Sequence, residues 1–281
     1  MKGKSRRIIS HIILIILGLG LIYPLIWLIL STFKENQDLF ISIKLLPENW
    51  IFDAYIKGWA GVSKGAQFTF LTFFENSFML VIPTVVFTIV SSTIVAYGFT
   101  RFDFPLKKLF FSLMISTLLL PNAVIVVPRY IIFRNLKWLD SYLPFYVPAM
   151  LATSAFFVFL MVQFLRGIPK ELDESAKIDG CNSLQILISI ILPLAKPALF
   201  SIGIFQFMWT WNDFFNSMIY INSVSKFTVA LGLRLAIDNA SDTQWNQVLA
   251  MSLVSIIPCI ALFAFAQKYF VEGIATSGIK G

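Results

Sequence analysis

The chain has 281 residues, of which 58% are hydrophobic and only 13% charged, with a mean hydropathy of +0.80. A soluble domain would carry about a quarter charged residues, so the composition excludes a soluble globular protein and indicates an integral membrane protein. The net charge of +7 is typical of Lys and Arg on cytoplasmic segments and requires no nucleic-acid partner. The apolar runs are long and largely uncharged, which predicts helices and not barrel strands.

The first apolar run, residues 12–30, follows a basic start with Lys2, Lys4, Arg6 and Arg7. A secretory signal peptide is the competing interpretation. The run is longer than the usual apolar core of a signal, and no small-residue cleavage site follows it. We therefore predict a retained transmembrane helix with its N-terminus in the cytoplasm.

The polar segment 31–72 is assigned to the outside. Trp50, Tyr55 and Trp59 are spaced among its charged residues. Such aromatic residues either lie at the outer membrane–water boundary or pack a small external cap, and the sequence leaves both possibilities open.

Five further apolar runs complete a prediction of six transmembrane helices. The predicted spans are 12–30, 76–98, 109–127, 143–165, 198–221 and 248–267. Pro121 and Asn122 interrupt the third span. A proline inside a span leaves a carbonyl without its partner, so a kink is expected there.

Basic residues predict which side of the membrane is cytoplasmic. Lys and Arg are concentrated before the first span and in the short loop after the second, which holds Arg101, Lys107 and Lys108. Cytoplasmic loops carry such an excess. The N-terminus, the segment 166–197 and the C-terminus are therefore predicted to be cytoplasmic.

The segment after the fourth span predicts two short helices. Pro169 suits the first helical position, and Glu171, Asp173 and Glu174 favour the positive end of a helix dipole. Gly180 can take a positive φ and end this helix.

The second helix of the segment is predicted to be amphipathic. Asn182 or Ser183 can cap its start, and Pro193 ends it. Its apolar residues at i, i+3, i+4 and i+7 share one face; they are Leu184, Leu187, Ile188 and Ile191. Such a face lies on the bilayer surface or docks on a partner, and amphipathicity does not distinguish the two.

A specific spacing runs through these helices. Glu174-Ser175-Ala176 is followed by Gly180 and then, after nine intervening residues, by an Ile-x-Leu-Pro pattern formed by residues 190–193. This spacing resembles the EAA loop of ABC-importer membrane subunits, with Ser175 in place of the first alanine.

The resemblance implies that the loop carries a coupling helix that sits in a cleft of a separate ATPase subunit. Glu174 would be the charged contact, Ala176 would keep the helix face close, and Gly180 would make the turn. The predicted ATPase-coupling residues are Glu171, Glu174, Ser175, Ala176, Asp179, Gly180, Ile190, Leu192 and Pro193.

Four stretches carry a second resemblance: FLRGIPKELDESAKIDG, WNDFFNSMIY, FTVALGLR and the terminal GIATSGIKG. From about Pro24 to Gly281 the chain is similar to the carbohydrate-importer branch of the ABC permeases. Within that branch it resembles the maltose-type second membrane subunit. This implies an all-α integral membrane protein with six transmembrane helices in the type I ABC importer permease fold.

The expected organisation has four parts. Residues 1–30 hold the N-terminal cytoplasmic segment and first helix, 31–72 the external loop, 73–270 a five-helix permease core with the coupling loop 166–197, and 271–281 a cytoplasmic tail. By the resemblance, the tail reaches between the ATPase subunits.

The resemblance implies a permease for a sugar or oligosaccharide in the cytoplasmic membrane of a prokaryote. Its expected partners are a second, related permease in a heterodimer, two cytoplasmic ATPase subunits, an extracytoplasmic sugar-binding protein and membrane lipid, without nucleic acid. The sequence has no GxxxxGK(S/T) phosphate loop, so this chain is not expected to be the ATPase. We expect no cofactor on it, and ATP and Mg²⁺ on the partner ATPase.

No catalytic or metal-binding constellation is predicted. His11 is the single histidine and lies at the edge of the first span. Cys181 and Cys259 are placed at different membrane depths, so no disulfide is expected.

Asp213 is the only acidic residue placed within a predicted span. A charge in a span is costly and usually faces protein or water. Its surroundings predict a pathway lining, in which aromatic faces stack on sugar rings, or a structural group paired with a neighbouring subunit. The predicted pathway residues are Asn122, Gln206, Trp209, Trp211, Asn212 and Asp213.

Three alternative functions are left open by the sequence. The EAA spacing also suits an ABC importer for a non-sugar solute such as a polyamine or phosphate. An ATP-independent carrier would show coupling-ion sites and inverted repeats, neither of which is evident. Such a carrier, or a channel, would also leave the coupling loop unexplained. A membrane anchor or assembly protein with no transport role would be distinguished by whether uptake needs this chain.

Overall fold

A computed structural model describes residues 2–41, 44–61, 68–238 and 243–277. The all-α prediction is confirmed, since these residues form helices, turns and loops without a strand. The helices are α1 (Lys2–Ser31), α2 (Asp53–Ala60), α3 (Phe70–Arg101), α4 (Lys107–Thr117), α5 (Asn122–Asn135), α6 (Leu143–Met150), α7 (Ala155–Arg166), α8 (Glu171–Ile178), α9 (Ser183–Ile186), α10 (Leu192–Leu194), α11 (Lys196–Trp211), α12 (Phe214–Tyr220), α13 (Val229–Asp238) and α14 (Trp245–Ser277). A π-helical turn, Leu187–Ile191, joins α9 to α10, and a 3₁₀ turn, Val224–Lys226, follows α12.

Length and apolar composition identify the candidate membrane spans. Among the described residues, Ile9–Ser31, Phe70–Arg101, Leu143–Arg166 and Trp245–Ala266 qualify directly. Two bent helix pairs, α4 with α5 and α9–α10 with α11, raise the number to as many as six. The prediction of six spans agrees with this upper number.

The third predicted span is sharply broken and not merely kinked. α4 ends at Thr117, α5 begins at Asn122, and their axes differ by 103°. Eleven residues of α4 rise about 16 Å at 1.5 Å per residue, which is too short to cross a hydrocarbon core of about 30 Å. Pro121 stands at the start of α5, where its missing N–H is harmless.

The fourth predicted span also contains an interruption. α6 ends at Met150 and α7 begins at Ala155, although together they form one candidate span. Ala152 has a φ of 53°, a left-handed value that helices of L-residues do not contain. The interruption is therefore a turn between two helical pieces.

The fifth predicted span, 198–221, is wrong as one continuous helix. α11 ends at Trp211, and α12 begins at Phe214. The Asp213 side chain accepts a hydrogen bond from the backbone N–H of Asn216 at 3.0 Å and so caps α12. Short polar side chains compete with helical hydrogen bonds in this way, which explains the break.

The last helix is longer than predicted. The sixth span was expected at 248–267, whereas α14 runs from Trp245 to Ser277. The described part of the predicted tail, residues 271–277, is therefore helical. Residues 278–281 of the tail lie outside the described part of the chain.

Contacts divide the chain into two compact units, one of residues 1–72 with 232–257 and the other of 73–231 with 258–281. In the first unit, the ring of Phe33 packs against those of Trp50, Phe52 and Tyr55. The rings of this polar segment therefore contact one another.

The second unit has a core built around α7. Phe157, Met161 and Leu165 recur at i, i+4 and i+8 on this helix and are fully buried. They pack in one cluster with Ala96 of α3 and Ile202 of α11. This core supports the segment between α7 and α11, where the predicted coupling residues lie.

Candidate functional site

The predicted coupling loop 166–197, called the coupling segment below, first forms α8, an amphipathic helix of eight residues. Asp173 and Ala176 are buried, whereas Glu171 and Glu174 are exposed. Acidic side chains in the first turn interact favourably with the positive end of the helix dipole. The helix therefore exposes Glu171 and Glu174 and buries Asp173.

The predicted glycine turn after α8 is confirmed. Gly180 has a φ of +84°. Its N–H donates to the carbonyl of Lys177 at 3.0 Å, and the N–H of Cys181 donates to that of Ala176 at 2.9 Å. This pair of bonds is the Schellman motif, which requires a residue tolerant of positive φ at the glycine position.

The predicted cap of the second helix is also confirmed, with Asn182 as the capping residue. The Asn182 side chain accepts from the backbone N–H of Gln185 at 2.9 Å. The Gln185 side chain accepts from the backbone N–H of Asn182 at 2.8 Å. This reciprocal capping box fixes where the second helix starts.

The predicted apolar face of the second helix is only half covered within this chain. Leu187 and Ile191 are buried, but Leu184 and Ile188 are 63% and 53% exposed. The second half of this helix, Leu187–Ile191, is a π-helical turn. The chain then bends by 77° into α11.

The helix also ends one residue beyond the predicted stop at Pro193, since α10 closes at Leu194. Pro193 has no N–H to donate to the preceding turn. The missing N–H group of Pro193 coincides with the π-helical turn that precedes it and with the 77° bend that follows it.

The predicted coupling residues do not all face outward. Exposed members are Glu171, Glu174, Ser175, Asp179, Gly180 and Pro193, and half-buried members are Ile190 and Leu192. Ala176 is buried in the core of this chain. Its small side chain lets α8 pack closely on its own chain, and its role in ATPase coupling stays a prediction.

A buried ion pair ties α8 to α3, and the sequence reasoning missed it. Arg101 Nε lies 2.8 Å from Asp173 Oδ2, with side chains only 7% and 8% exposed. The approach is off the ideal hydrogen-bond direction, so the attraction is chiefly between charges. No pattern in the sequence singled out Asp173, because three acids crowd the first turn of α8.

A cavity of about 800 Å³ lies among α3, α6, α7, α11 and α12 in the second unit. It is lined by Thr84, Thr88, Phe145, Pro148, Ala149, Thr153, Ser154, Phe157, Gln206, Met208, Trp209, Thr210, Asn212, Asp213 and Asn216. Four of the six predicted pathway residues are among these: Gln206, Trp209, Asn212 and Asp213.

Trp211 and Asn122 do not line this cavity, and their assignment to the pathway stays a prediction. Trp211 is buried, and its ring stacks on Phe207 with centroids 5.5 Å apart. On a helix, residues 209 and 211 point to different faces, which separates the two tryptophans. Asn122 is the exposed first residue of α5.

The lining of the cavity carries many hydrogen-bonding groups but almost no charge. Asp213 is the only charged side chain among its described lining residues, and its carboxylate accepts two hydrogen bonds from the Asn216 side chain, at 2.8 and 3.1 Å. Gln206 donates to Thr210 Oγ1 at 2.6 Å. The hydroxyl groups of Thr84 and Thr88, which sequence reasoning missed, lie on α3 and add further hydrogen-bonding groups.

Within the described residues, no group of three or more His, Cys, Asp or Glu is placed to hold a metal ion. Cys181 and Cys259 are both free thiols.

Comparison with known proteins identifies the family. Residues 58–276 match the family described as the binding-protein-dependent transport system inner membrane component. The chain is 34% identical over 264 residues to the probable ABC transporter permease protein YurM of Bacillus subtilis, covering 94% of this chain and 85% of that one. It is 31% identical to the arabinooligosaccharides transport system permease protein AraQ of Halalkalibacterium halodurans, over the whole of both chains. The sn-glycerol-3-phosphate transport system permease protein UgpE of Yersinia enterocolitica is 33% identical, over 98% and 99% of the two chains.

A solved structure agrees in fold. One chain of a bacterial ABC transporter involved in the import of the acidic polysaccharide alginate superposes with a TM-score of 0.83, at 24% identity, over 96% of this chain and 98% of that one. The predicted type I permease fold is thereby confirmed. The prediction of a transport subunit, and not the ATPase, is confirmed by the family and by relatives that are themselves permease proteins. The chain belongs to the binding-protein-dependent transport system inner membrane components, the permease subunits of ABC importers.

Proposed function

We propose that this permease forms half of the translocation pathway for an uncharged sugar or oligosaccharide. The observation that carries the proposal is the cavity of about 800 Å³, lined by hydroxyl and amide groups and by Trp209. Hydroxyl and amide groups can donate to and accept from sugar hydroxyls, and an indole ring offers an apolar face for a sugar ring. The relative AraQ is named for arabinooligosaccharides, which supports a saccharide.

The charge of the lining separates sugars from other solutes. Phosphate and carboxylate groups are recognised by Arg and Lys, and no described lining residue is a cation. A polyamine would require several carboxylates, whereas Asp213 is the single acid and already accepts from Asn216. A neutral saccharide therefore fits better than the anionic solutes for which UgpE and the alginate transporter are named.

In the proposed assembly, this chain pairs with a second, related permease in a prokaryotic cytoplasmic membrane, with both termini in the cytoplasm. Two ATPase subunits bind inside, with ATP and Mg²⁺, and a sugar-binding protein delivers solute from outside. The exposed acids Glu171 and Glu174 and the exposed apolar side chains of Leu172 and Ile178 form the surface of α8 that enters the ATPase cleft. Closure of the ATPase dimer moves this surface and switches the spans between inward-facing and outward-facing states.

The test is a solute panel on the assembly purified from its native host. The complex is reconstituted in proteoliposomes with its binding protein, and ATP hydrolysis is measured with arabino-oligosaccharides, malto-oligosaccharides, alginate oligosaccharides or sn-glycerol 3-phosphate. We expect a neutral saccharide to stimulate hydrolysis. Stimulation by an anionic solute alone would contradict the neutral-sugar assignment, and purification of the permease without any ATPase would contradict the coupling role.

A further inference from the structure

The last turn of α3 is joined to the coupling segment at two points on one helical face. Arg101 pairs with Asp173 of α8. Tyr97, four residues earlier on the same face, donates its hydroxyl to the carbonyl of Ser183 at 3.1 Å. The same end of α3 therefore contacts both helices of the segment, α8 and α9.

The Arg101 guanidinium also contacts the end of α7. Nη1 donates to the carbonyl of Leu165 at 3.3 Å, and Nη2 donates to that of Ile168 at 3.1 Å. Carbonyls at a helix C-terminus lack helical partners and carry partial negative charge. One buried cation thus links α3, α7 and α8.

A rigid route leads from this link to the cavity. α3 is one helix of 32 residues whose internal proline, Pro83, precedes Thr84. The stretch from Thr84 to Arg101 therefore contains no proline, and at 1.5 Å per residue it extends about 26 Å. Thr84 and Thr88 line the cavity at the far end of this stretch.

We propose that Arg101 and Asp173 are positioning residues that make α8 and the end of α3 move as one body. The proposal rests on the proposed function, since it takes α8 as the surface that the ATPase moves. Movement imposed on α8 then reaches Thr84 and Thr88 through α3. Without the pair, α8 moves while α3 lags behind.

Spin labels measure this directly by double electron–electron resonance. Labels are placed at Lys177→Cys on α8 and Ile94→Cys on α3, two exposed positions, in full chains with Cys181→Ser and Cys259→Ser. Distances are recorded in the complete complex with and without ATP and vanadate. We expect a narrow distance distribution in the otherwise native chain that stays unchanged on trapping.

Asp173→Asn should let α8 move independently of α3. A buried arginine without its counter-charge seeks another partner or water, so the distribution should about double in width and shift on trapping. Asp173→Glu, which keeps the carboxylate, should restore the narrow distribution. Asp103→Asn is the matched control, because Asp103 follows Arg101 closely in the chain but its side chain is 97% exposed.

An unchanged distribution in Asp173→Asn, in both states, would overturn the proposal. If that variant fails to fold, Arg101→Gln takes its place: it removes the charge but can still donate to the carbonyls of Leu165 and Ile168, and a native distribution in it would equally overturn the link. The comparison without nucleotide can be made on the permease alone. Its result therefore bears on the ion pair even if no ATPase co-purifies and the proposed function fails.

Discussion

At the scale of single residues, the coupling segment is shaped by a few side chains with special backbone or charge requirements. Gly180 supplies the positive φ that closes α8, and Asn182 starts the next helix two residues later. The connection between the two helices is short, residues 179–182. The exposed side of α8 is therefore presented at a set angle to the second helix.

Replacement of this glycine tests the turn. In Gly180→Ala, an L-residue must take a left-handed backbone, which costs about 1–2 kcal/mol. No heavy atom lies within 4 Å of the added Cβ, so the cost is backbone strain and not a clash. We expect fewer ATPase subunits per permease in a mild-detergent purification, and sugar uptake lowered roughly fivefold or more, with normal membrane insertion.

Two further glycine variants make this result specific. Gly180→Asn should lose less bound ATPase and less sugar uptake than Gly180→Ala, because asparagine tolerates the left-handed region better than alanine. Gly98→Ala, within α3 and also without a neighbour within 4 Å, should match the native permease. Native ATPase content in Gly180→Ala would show that the turn does not set the docking geometry.

The residue scale also separates what the sequence could predict from what it could not. The roles of Gly180 and Asn182 were predictable because their hydrogen-bond partners lie within five residues along the chain. The Arg101–Asp173 pair was not, because its members are distant in sequence and three acids crowd the first turn of α8. Only tertiary packing decides which acid turns inward.

At the scale of elements, hydropathy predicted the spans better than it predicted their breaks. An apolar run has the same mean hydropathy whether or not a helix is interrupted within it. The break at Asn212 and Asp213 arises from hydrogen bonds of two side chains, since Asn212 donates to the carbonyl of Met208 at 2.7 Å and Asp213 caps α12. Asp213, which stands at this break, lines the cavity, so the break shapes the site as well as the fold.

A second element-scale feature is a clasp between two loops. Asp140, before α6, has a φ of 55°. Its carboxylate accepts from the backbone N–H groups of Asn222 and Ser223, at 3.0 and 2.8 Å, and from Lys226 Nζ at 2.9 Å. The clasp therefore joins the turn before α6 to the turn after α12.

The stability of this clasp should decrease as the pH is lowered. Partial burial by itself would raise the pKa of Asp140, but hydrogen bonds from Ser223, Lys226 and Asn222 outweigh it and hold that pKa well below its usual range. A depressed pKa in the folded state stabilises the fold fully above the unfolded value of about 4 and progressively less as the pH falls below it. The protection factor of the Ser223 amide in hydrogen exchange should therefore be constant from neutral pH to about pH 4 and then decline.

Asp140→Asn removes the charge that produces this dependence. The protection factor of Ser223 should fall about tenfold at neutral pH, since hydrogen bonds to a charged acceptor are stronger than those to a neutral one, and should no longer change below pH 4. Asp103→Asn, which alters an exposed acid in another loop, should leave the Ser223 amide unaffected. Equal protection in Asp140→Asn and the native chain would show that the carboxylate does not hold the clasp.

At the scale of the whole molecule, helical class and family could be predicted, and the six predicted spans equal the upper number of candidate spans among the described residues, whereas the shape of the cavity could not be predicted. Predictions from composition and from the distribution of basic residues use the entire chain, so an error in one helix boundary does not change them. The cavity instead depends on which face of α3, α7 and α11 meets the others, and no pattern in the sequence marked Thr84 or Thr88. The membrane side of α8 matters for the whole molecule, because the proposed coupling requires α8 and ATP on the same side of the membrane.

A natural cysteine allows this sidedness to be tested. Cys181 directly follows Gly180 and is partly exposed, whereas Cys259 lies within the candidate span of α14. A membrane-impermeant maleimide should label Cys181 in inverted membrane vesicles and not in right-side-out ones, because basic loops predict a cytoplasmic segment 166–197. In the proposed assembly the ATPase covers the same segment, so bound ATPase should reduce this labelling. Cys181→Ser should abolish labelling if Cys259 is shielded by lipid. Labelling of Cys181 from the outer face would place α8 away from ATP and would rule out its role in coupling.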